Sequence, residues 1–178
     1  MHLLRYHVAM SLDGFIARED GSYDWIPPDP GVDFVAMYAE FDGYVMGRKT
    51  YELVESIANE LPSMDGTILV VSKTLSEAKL PNAELVRENI PERVRQQKAE
   101  SKKDVWLFGG GELFRYLLDQ GLVDKVEVAV IPVLLGSGIP LLPAGRSHTL
   151  KFLSHSTLPN GICQLAYSAT EKLNNKQP

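Results

Sequence analysis

Val105-Trp106-Leu107-Phe108-Gly109-Gly110-Gly111-Glu112-Leu113-Phe114 is the stretch that decides the fold: a continuous apolar run that turns through three glycines into a helix-like segment. Runs of this kind suit a strand buried on both faces of a parallel sheet. A strand that passes through glycine straight into a helix aims unpaired backbone N–H groups, and the positive end of the helix dipole, at one point. An anion fits there, because glycine removes the Cβ atoms that would block its approach. A tight turn with no ligand would have the same letters, so context has to decide between the two. The spacing is not that of a Rossmann fingerprint, which needs separated glycines in the first βαβ unit and an acidic residue about 20 positions later.

Outward from this turn, strand-like and helix-like stretches alternate. Leu4 to Ser11 reads as a first strand ending at Asp13-Gly14. Residues 32 to 41 place Val32, Val35, Met37, Tyr38 and Phe41 near helical spacing. Gly43 to Met46 is a strand, with a helix beginning around Tyr51, and Thr67 to Val71 is a further buried strand. Pro91 opens a polar helix to about Lys102, Pro being tolerated where its missing N–H is unpaired anyway. Glu112 to Gln120 is a helix stopped by Gly121, and Val123 to Val133 a long strand. Leu150 to Thr157 and Ile162 to Thr170, around Pro159-Asn160-Gly161, form a hairpin. The first two thirds thus reads as βαβ units and the remainder as antiparallel strands.

Two further turns carry charge. Met46-Gly47-Arg48-Lys49-Thr50 sets two cations and a hydroxyl at the start of a helix, where cations are unfavourable unless an anion lies between them. Val71-Ser72-Lys73-Thr74 ends the next strand with a hydroxyl and an ammonium. Any one of these cations alone reads as a solvated surface charge. Two basic turns at adjacent strand ends suit a dinucleotide with an extra ribose phosphate, hence NADPH rather than NADH.

Bulk properties bound the remaining choices. A chain of 178 residues, 44% hydrophobic, suffices for one substantial core, and a single domain over 1–170 with a frayed tail at 171–178 is expected. The net charge of -5 is spread along the chain and leaves no basic face for nucleic acid. The N-terminal residues lack a secretory pattern and no run approaches the ~18 apolar residues of a membrane span, so a cytoplasmic location is expected. The single cysteine, Cys163, cannot form an internal disulfide and reads as a small buried hydrophobe, while the four histidines show no metal-ligand spacing, so no metal is expected.

With these pieces in order, the chain resembles the dihydrofolate-reductase-like superfamily. Met46 to Glu52 and Gly109 to Gly111 resemble the cofactor turns of dihydrofolate reductases. Ser11-Leu12-Asp13-Gly14-Phe15-Ile16-Ala17, Asp20 to Ile26, Gly121 to Asp124 and Ile131 to Leu142 look more like the reductase domain at the C-terminus of the bifunctional riboflavin-biosynthesis deaminase-reductase. The resemblance runs from about Arg5 to about Thr170. It implies an α/β fold with a central, mostly parallel sheet of about eight strands, an antiparallel C-terminal hairpin, helices on both faces, and a homodimer. It also implies NADPH across the strand ends, held by Gly47, Arg48, Lys49, Thr50, Ser72 and Lys73. Gly109, Gly110, Gly111, Glu112, Leu113 and Phe114 would line its pyrophosphate and nicotinamide side.

On the acceptor side the candidates are Asp13, Trp25, Asp33, Phe34, Met37 and the turn Gly136, Ser137, Gly138. The Asp13 carboxylate is suited to fixing ring or amine N–H groups, and is the catalytic candidate. Asp33 equally suits the N-terminus of a helix, and Trp25 equally suits a lid packed on the core. The implied activity is hydride transfer from NADPH to a small heterocycle or a ribosylaminopyrimidine phosphate, resembling the 5-amino-6-(5-phosphoribosylamino)uracil reductase of riboflavin biosynthesis. A pterin reductase and a catalytically silent NADPH-binding module are the alternatives.

Overall fold

The computed structural model describes residues 1–28 and 30–170; the expected frayed tail, 171–178, lies outside the described residues. In chain order the strands are β1 (Leu4–Ser11), β2 (Phe15–Ala17), β3 (Phe41–Gly47), β4 (Thr67–Val71), β5 (Ala83–Val86), β6 (Asp104–Gly109), β7 (Lys125–Ile131), β8 (Ile139–Pro140), β9 (Lys151–Thr157) and β10 (Cys163–Ser168). The helices are α1 (Phe34–Tyr38), α2 (Arg48–Ser56), α3 (Ile90–Glu100) and α4 (Gly111–Asp119).

Eight strands form one sheet in the order β5-β4-β3-β6-β1-β7-β10-β9, and β2 pairs with β8 apart from it. The six strands from β5 to β7 are parallel, and β10 runs antiparallel to both β7 and β9. This is the mostly parallel sheet with an antiparallel C-terminal pair that the sequence pattern implies. Period-two alternation feeds two cores. Leu4 and Tyr6 of β1, Val45 of β3, and Val105 and Leu107 of β6 join Val94 of α3 and Leu113, Phe114, Leu117 and Leu118 of α4. Tyr44 and Met46 of β3 and Trp106 of β6 point the other way, against Tyr38, Tyr51 and Val54, and Phe108 packs beside them. Each such side chain, fully buried, contributes about 1.5–3 kcal/mol. Helices therefore cover both faces, with α1 and α2 on one and α3 and α4 on the other.

Several boundaries differ from those expected. The helix expected over 32 to 41 is the short α1, because Phe41 belongs to extended chain paired with Asp104. Helix α2 begins at Arg48, three residues before the expected Tyr51, so Arg48, Lys49 and Thr50 form its first turn. The strand expected over 123–133 is the shorter β7, since Asp124 leaves the ladder to accept the Leu4 N–H through its side chain at 2.8 Å. Strands β5, β2 and β8 have no counterpart in the sequence reading. Cys163 is exposed, not buried: it is the first residue of β10, opposite Thr157 beside the hairpin turn. Among the described residues no helix is long and apolar enough to cross a membrane, and no cluster of His, Cys, Asp and Glu could hold a metal.

Candidate functional site

Strands β3 and β6 are neighbours, yet the chain leaves β3 through α2 on one face of the sheet and leaves β6 through α4 on the other. In open α/β sheets such a divergence opens a crevice at the carboxyl ends of the strands, where ligands bind. The two turns expected from sequence meet there. A Cβ built on Gly47 would lie 3.8 Å from the Gly109 carbonyl and 3.9 Å from the Gly110 nitrogen, and one on Gly110 would lie 3.9 Å from Thr50 Oγ1.

Both helices that open at this crevice start on glycine. Gly47 is the N-cap of α2 and Gly110 that of α4, and neither has a side chain to cap the first-turn N–H groups. By contrast α1, away from the divergence, is capped by Asp33, which accepts from the Ala36 N–H at 2.9 Å. The orphan donors of α2 and α4 therefore converge where an anion would be held. Gly109 turns the chain with φ +120, a conformation that L side chains rarely adopt, and the Gly109–Gly110 peptide is cis.

The third glycine serves a different purpose. A Cβ on Gly111 would come within 2.8 Å of the Pro140 carbonyl and 3.3 Å of that of Leu141. The segment from Val133 to His148 thus crosses directly over the start of α4. The Leu113 and Phe114 side chains are buried in the core, with Phe114 stacked on Tyr6 at 3.9 Å between ring centroids, and so seat α4. Glu112 is exposed in the first turn of α4.

The basic half of the site continues along the carboxyl edge. Arg48 and Lys49 are exposed, and Arg48 sits 3.6 Å from Glu52 one turn on, a loose surface pair. Ser72 is buried and its hydroxyl accepts from the N–H groups of Thr74 and Leu75 at 3.2 and 3.0 Å, holding the turn on which Lys73 stands exposed. Lys73 lines a cavity of about 640 Å³ together with Arg87, Asn89, Pro91 and Tyr116. Arg87 and Tyr116 were not identified from sequence. Arg87 follows β5 and donates to the carbonyls of Lys73 and Leu75 at 3.2 and 2.7 Å, so it both lines the cavity and braces the turn. Recognising β5 would have found it.

On the acceptor side, Asp13 is fully engaged. Its Oδ1 accepts from Ser11 Oγ at 2.6 Å and from the Leu135 N–H at 3.1 Å, and its Oδ2 accepts from the Gly136 N–H at 2.7 Å. The Ser11 hydroxyl foremost, then the two backbone donors, hold its pKa down to about 2. Gly136 and Ser137 are exposed, whereas Gly138 packs against the Ala17 carbonyl of β2. The Gly14 carbonyl accepts from the Leu141 N–H at 2.9 Å, so the loop after β1 and the segment over α4 are joined. Phe34 is exposed and Met37 half-buried against the aromatic core. Trp25 is half-buried and its indole N–H has no acceptor among the described residues. Asn160 donates to the Pro30 carbonyl at 2.9 Å, which ties the approach to α1 to the turn between β9 and β10 at this same end.

A doubly faced α/β sheet with the dihydrofolate-reductase-like strand arrangement and a crevice at its switch point defines a reductase-like fold. The family model described as the RibD C-terminal domain matches residues 2–164, and the chain belongs to that family. It is 32% identical over 171 residues to the uncharacterized protein YyaP of Bacillus subtilis (strain 168), covering 90% of this chain and 91% of that one. It is 29% identical over 170 residues to the riboflavin biosynthesis protein RibD of Corynebacterium ammoniagenes, covering 85% of this chain but half, 50%, of that longer protein. A putative riboflavin biosynthesis protein from Shewanella sp. PV-4 superposes with a TM-score of 0.80 at 27% identity, over 96% of this chain and 99% of that one.

Proposed function

We propose that the protein is an NADPH-dependent reductase that transfers a hydride to a small heterocyclic acceptor of the ribosylaminopyrimidine or pterin kind. The observation that carries this reading is the pair of glycine-started, uncapped helices converging at one switch point, flanked by cations. Their N–H groups suit a pyrophosphate. Arg48, Lys49, Thr50 and Lys73 suit the adenosine phosphates, and the cavity lined by Lys73, Arg87 and Tyr116 suits the adenosine itself. A planar guanidinium recognises a phosphate through paired hydrogen bonds, which favours the phosphorylated dinucleotide.

A dihydronicotinamide cofactor held at the Gly47 and Gly110 turns would supply a hydride for an electrophilic carbon of the acceptor, the neighbouring heteroatom taking up a proton. The protein's part is to orient the two and exclude water. Asp13 acts by positioning the loop that carries Gly136, whose N–H its carboxylate accepts at 2.7 Å. The test is the loss of dihydronicotinamide absorbance in the presence of each candidate acceptor, paired with a direct NADPH titration. Binding without turnover of any acceptor would reduce the protein to a cofactor-binding module, and no binding would overturn the reading.

A further inference from the structure

On the reductase reading above, we infer that Arg115 is a positioning residue for the nicotinamide end of the cofactor, acting through the segment 133–148 that crosses the start of α4. Gly111, Arg115 and Asp119 are spaced four apart on α4 and line one face of it over two turns, about 12 Å. All three meet the same segment, each in its own way.

Gly111 admits it: a side chain there would run into the Pro140 and Leu141 carbonyls and stand 3.2 Å from Pro143 Cδ. Arg115, one turn on, grips the chain that Gly111 lets in. Its Nε and Nη2 donate to the Pro143 carbonyl at 3.1 and 2.6 Å, and its Nη1 donates to that of Arg146 at 2.5 Å. The side chain is only 12% exposed. Asp119 holds the exit, with Oδ1 2.6 Å from His148 Nε2 and its carbonyl accepting from Arg146 Nη2 at 3.3 Å. The near end of the segment is fastened to the loop after β1, where Asp13 accepts from the Leu135 and Gly136 N–H groups and β8 pairs with β2.

These fastenings set one wall of the crevice. The first residues of α4 have Thr50 on one side, 3.9 Å from a Cβ on Gly110, and the Pro140 and Leu141 carbonyls on the other. From the switch point the sheet runs one way through β3 and β4 to β5, towards the cavity lined by Lys73 and Arg87, and none of residues 133–148 lines that cavity. It runs the other way to β1 and β7, which lead into the Asp13 loop and into this segment. A dinucleotide with its pyrophosphate on α2 and α4 and its adenosine in the cavity therefore directs its nicotinamide end towards the segment. A wall already held in place spares the cost of ordering it when the cofactor binds. Arg115 supplies that hold from beneath.

The experiment is a calorimetric titration of the full chain and of Arg115→Met, each with NADP⁺ and with 2′-phospho-ADP-ribose, which keeps the adenosine and the pyrophosphate and lacks the nicotinamide. The wild type is expected to bind both. Arg115→Met is expected to lose NADP⁺ affinity at least fivefold while holding 2′-phospho-ADP-ribose within about twofold of wild type. Binding of the second compound also reports that the variant is folded. Should Arg115→Met fail to fold, Gly145→Ala is read in the same way: a Cβ on Gly145 stands 3.0 Å from Arg115 Cζ and displaces the guanidinium while the arginine stays in the chain. Parallel loss of both compounds, or unchanged affinity for both, overturns the inference and makes Arg115 a brace of the fold alone. Failure of the wild type to bind NADP⁺ removes the reductase reading, and the inference with it.

Discussion

The Asp13 carboxylate holds the backbone of Gly136 at 2.7 Å, across a sequence separation of 123 residues, and so pins the loop after the first strand to the loop after the seventh. Asp13→Asn keeps an acceptor oxygen but replaces the other with a donor aimed at backbone N–H groups. Turnover is expected to fall at least tenfold with NADPH affinity nearly unchanged, measured by steady-state kinetics beside a direct cofactor titration.

The same carboxylate predicts an acid-side signature. Its pKa falls from 3.8 to about 2 on folding, so between those values the unfolded chain binds more protons. The stabilisation is present in full above 3.8 and is lost as the pH drops towards 2. Denaturant midpoints of the wild type and Asp13→Asn should therefore differ above pH 4 and converge towards pH 2.

Arg48 stands on the first turn of α2, and among the described residues Glu52 at 3.6 Å is its one ion-pair partner. Arg48→Ala is expected to weaken NADPH about tenfold or more and NADH far less. Equal losses for the two would detach this residue from the ribose phosphate.

Two glycines of the crevice should separate fold from binding. Gly111→Ala drives a methyl into the Pro140 carbonyl and is expected to cost roughly 1–3 kcal/mol by denaturant melts. Gly47→Ala meets nothing closer than 3.8 Å and should leave stability within ~1 kcal/mol of wild type while weakening NADPH.

Arg115 closes the segment over α4 from its far end, donating to the Pro143 carbonyl through Nε and Nη2 at 3.1 and 2.6 Å and to that of Arg146 at 2.5 Å. Hydrogen bonds from a charged donor contribute about 1.5–3 kcal/mol. Arg115→Met should cost an amount in that range in thermal or chemical melts, with Arg115→Lys recovering part of it.

The sequence made the central turns legible because their signals are local. An apolar run ending in glycine declares a buried strand and a close turn, and the cations after Gly47 declare themselves against the helix dipole. What remained hidden depends on chain that arrives from elsewhere. Strand β5 is four residues with Glu84 among them, too short for a period to show, and is defined by pairing with β4. Strands β2 and β8 are three and two residues long and are defined by each other. Gly111 read as one more glycine of an anion turn, whereas its lack of a side chain serves Pro140, 29 positions on. Asp13 was legible as a residue that matters, but its partners Leu135 and Gly136 were not, and without them a binding carboxylate and a bracing one look alike.

The placement of β1 between β6 and β7 also bears on how the molecule comes into being. Leu4 pairs with Val105 and Arg5 with Lys125, so β1 finds both of its sheet neighbours about a hundred residues further along the chain. Contacts so distant along the chain slow folding. Gly47 and Gly109 come together once β3 and β6 pair, whereas Asp13 finds Gly136 only after β7 is in place, so a chain that ends before β7 carries the phosphate turns without the brace on their acceptor side.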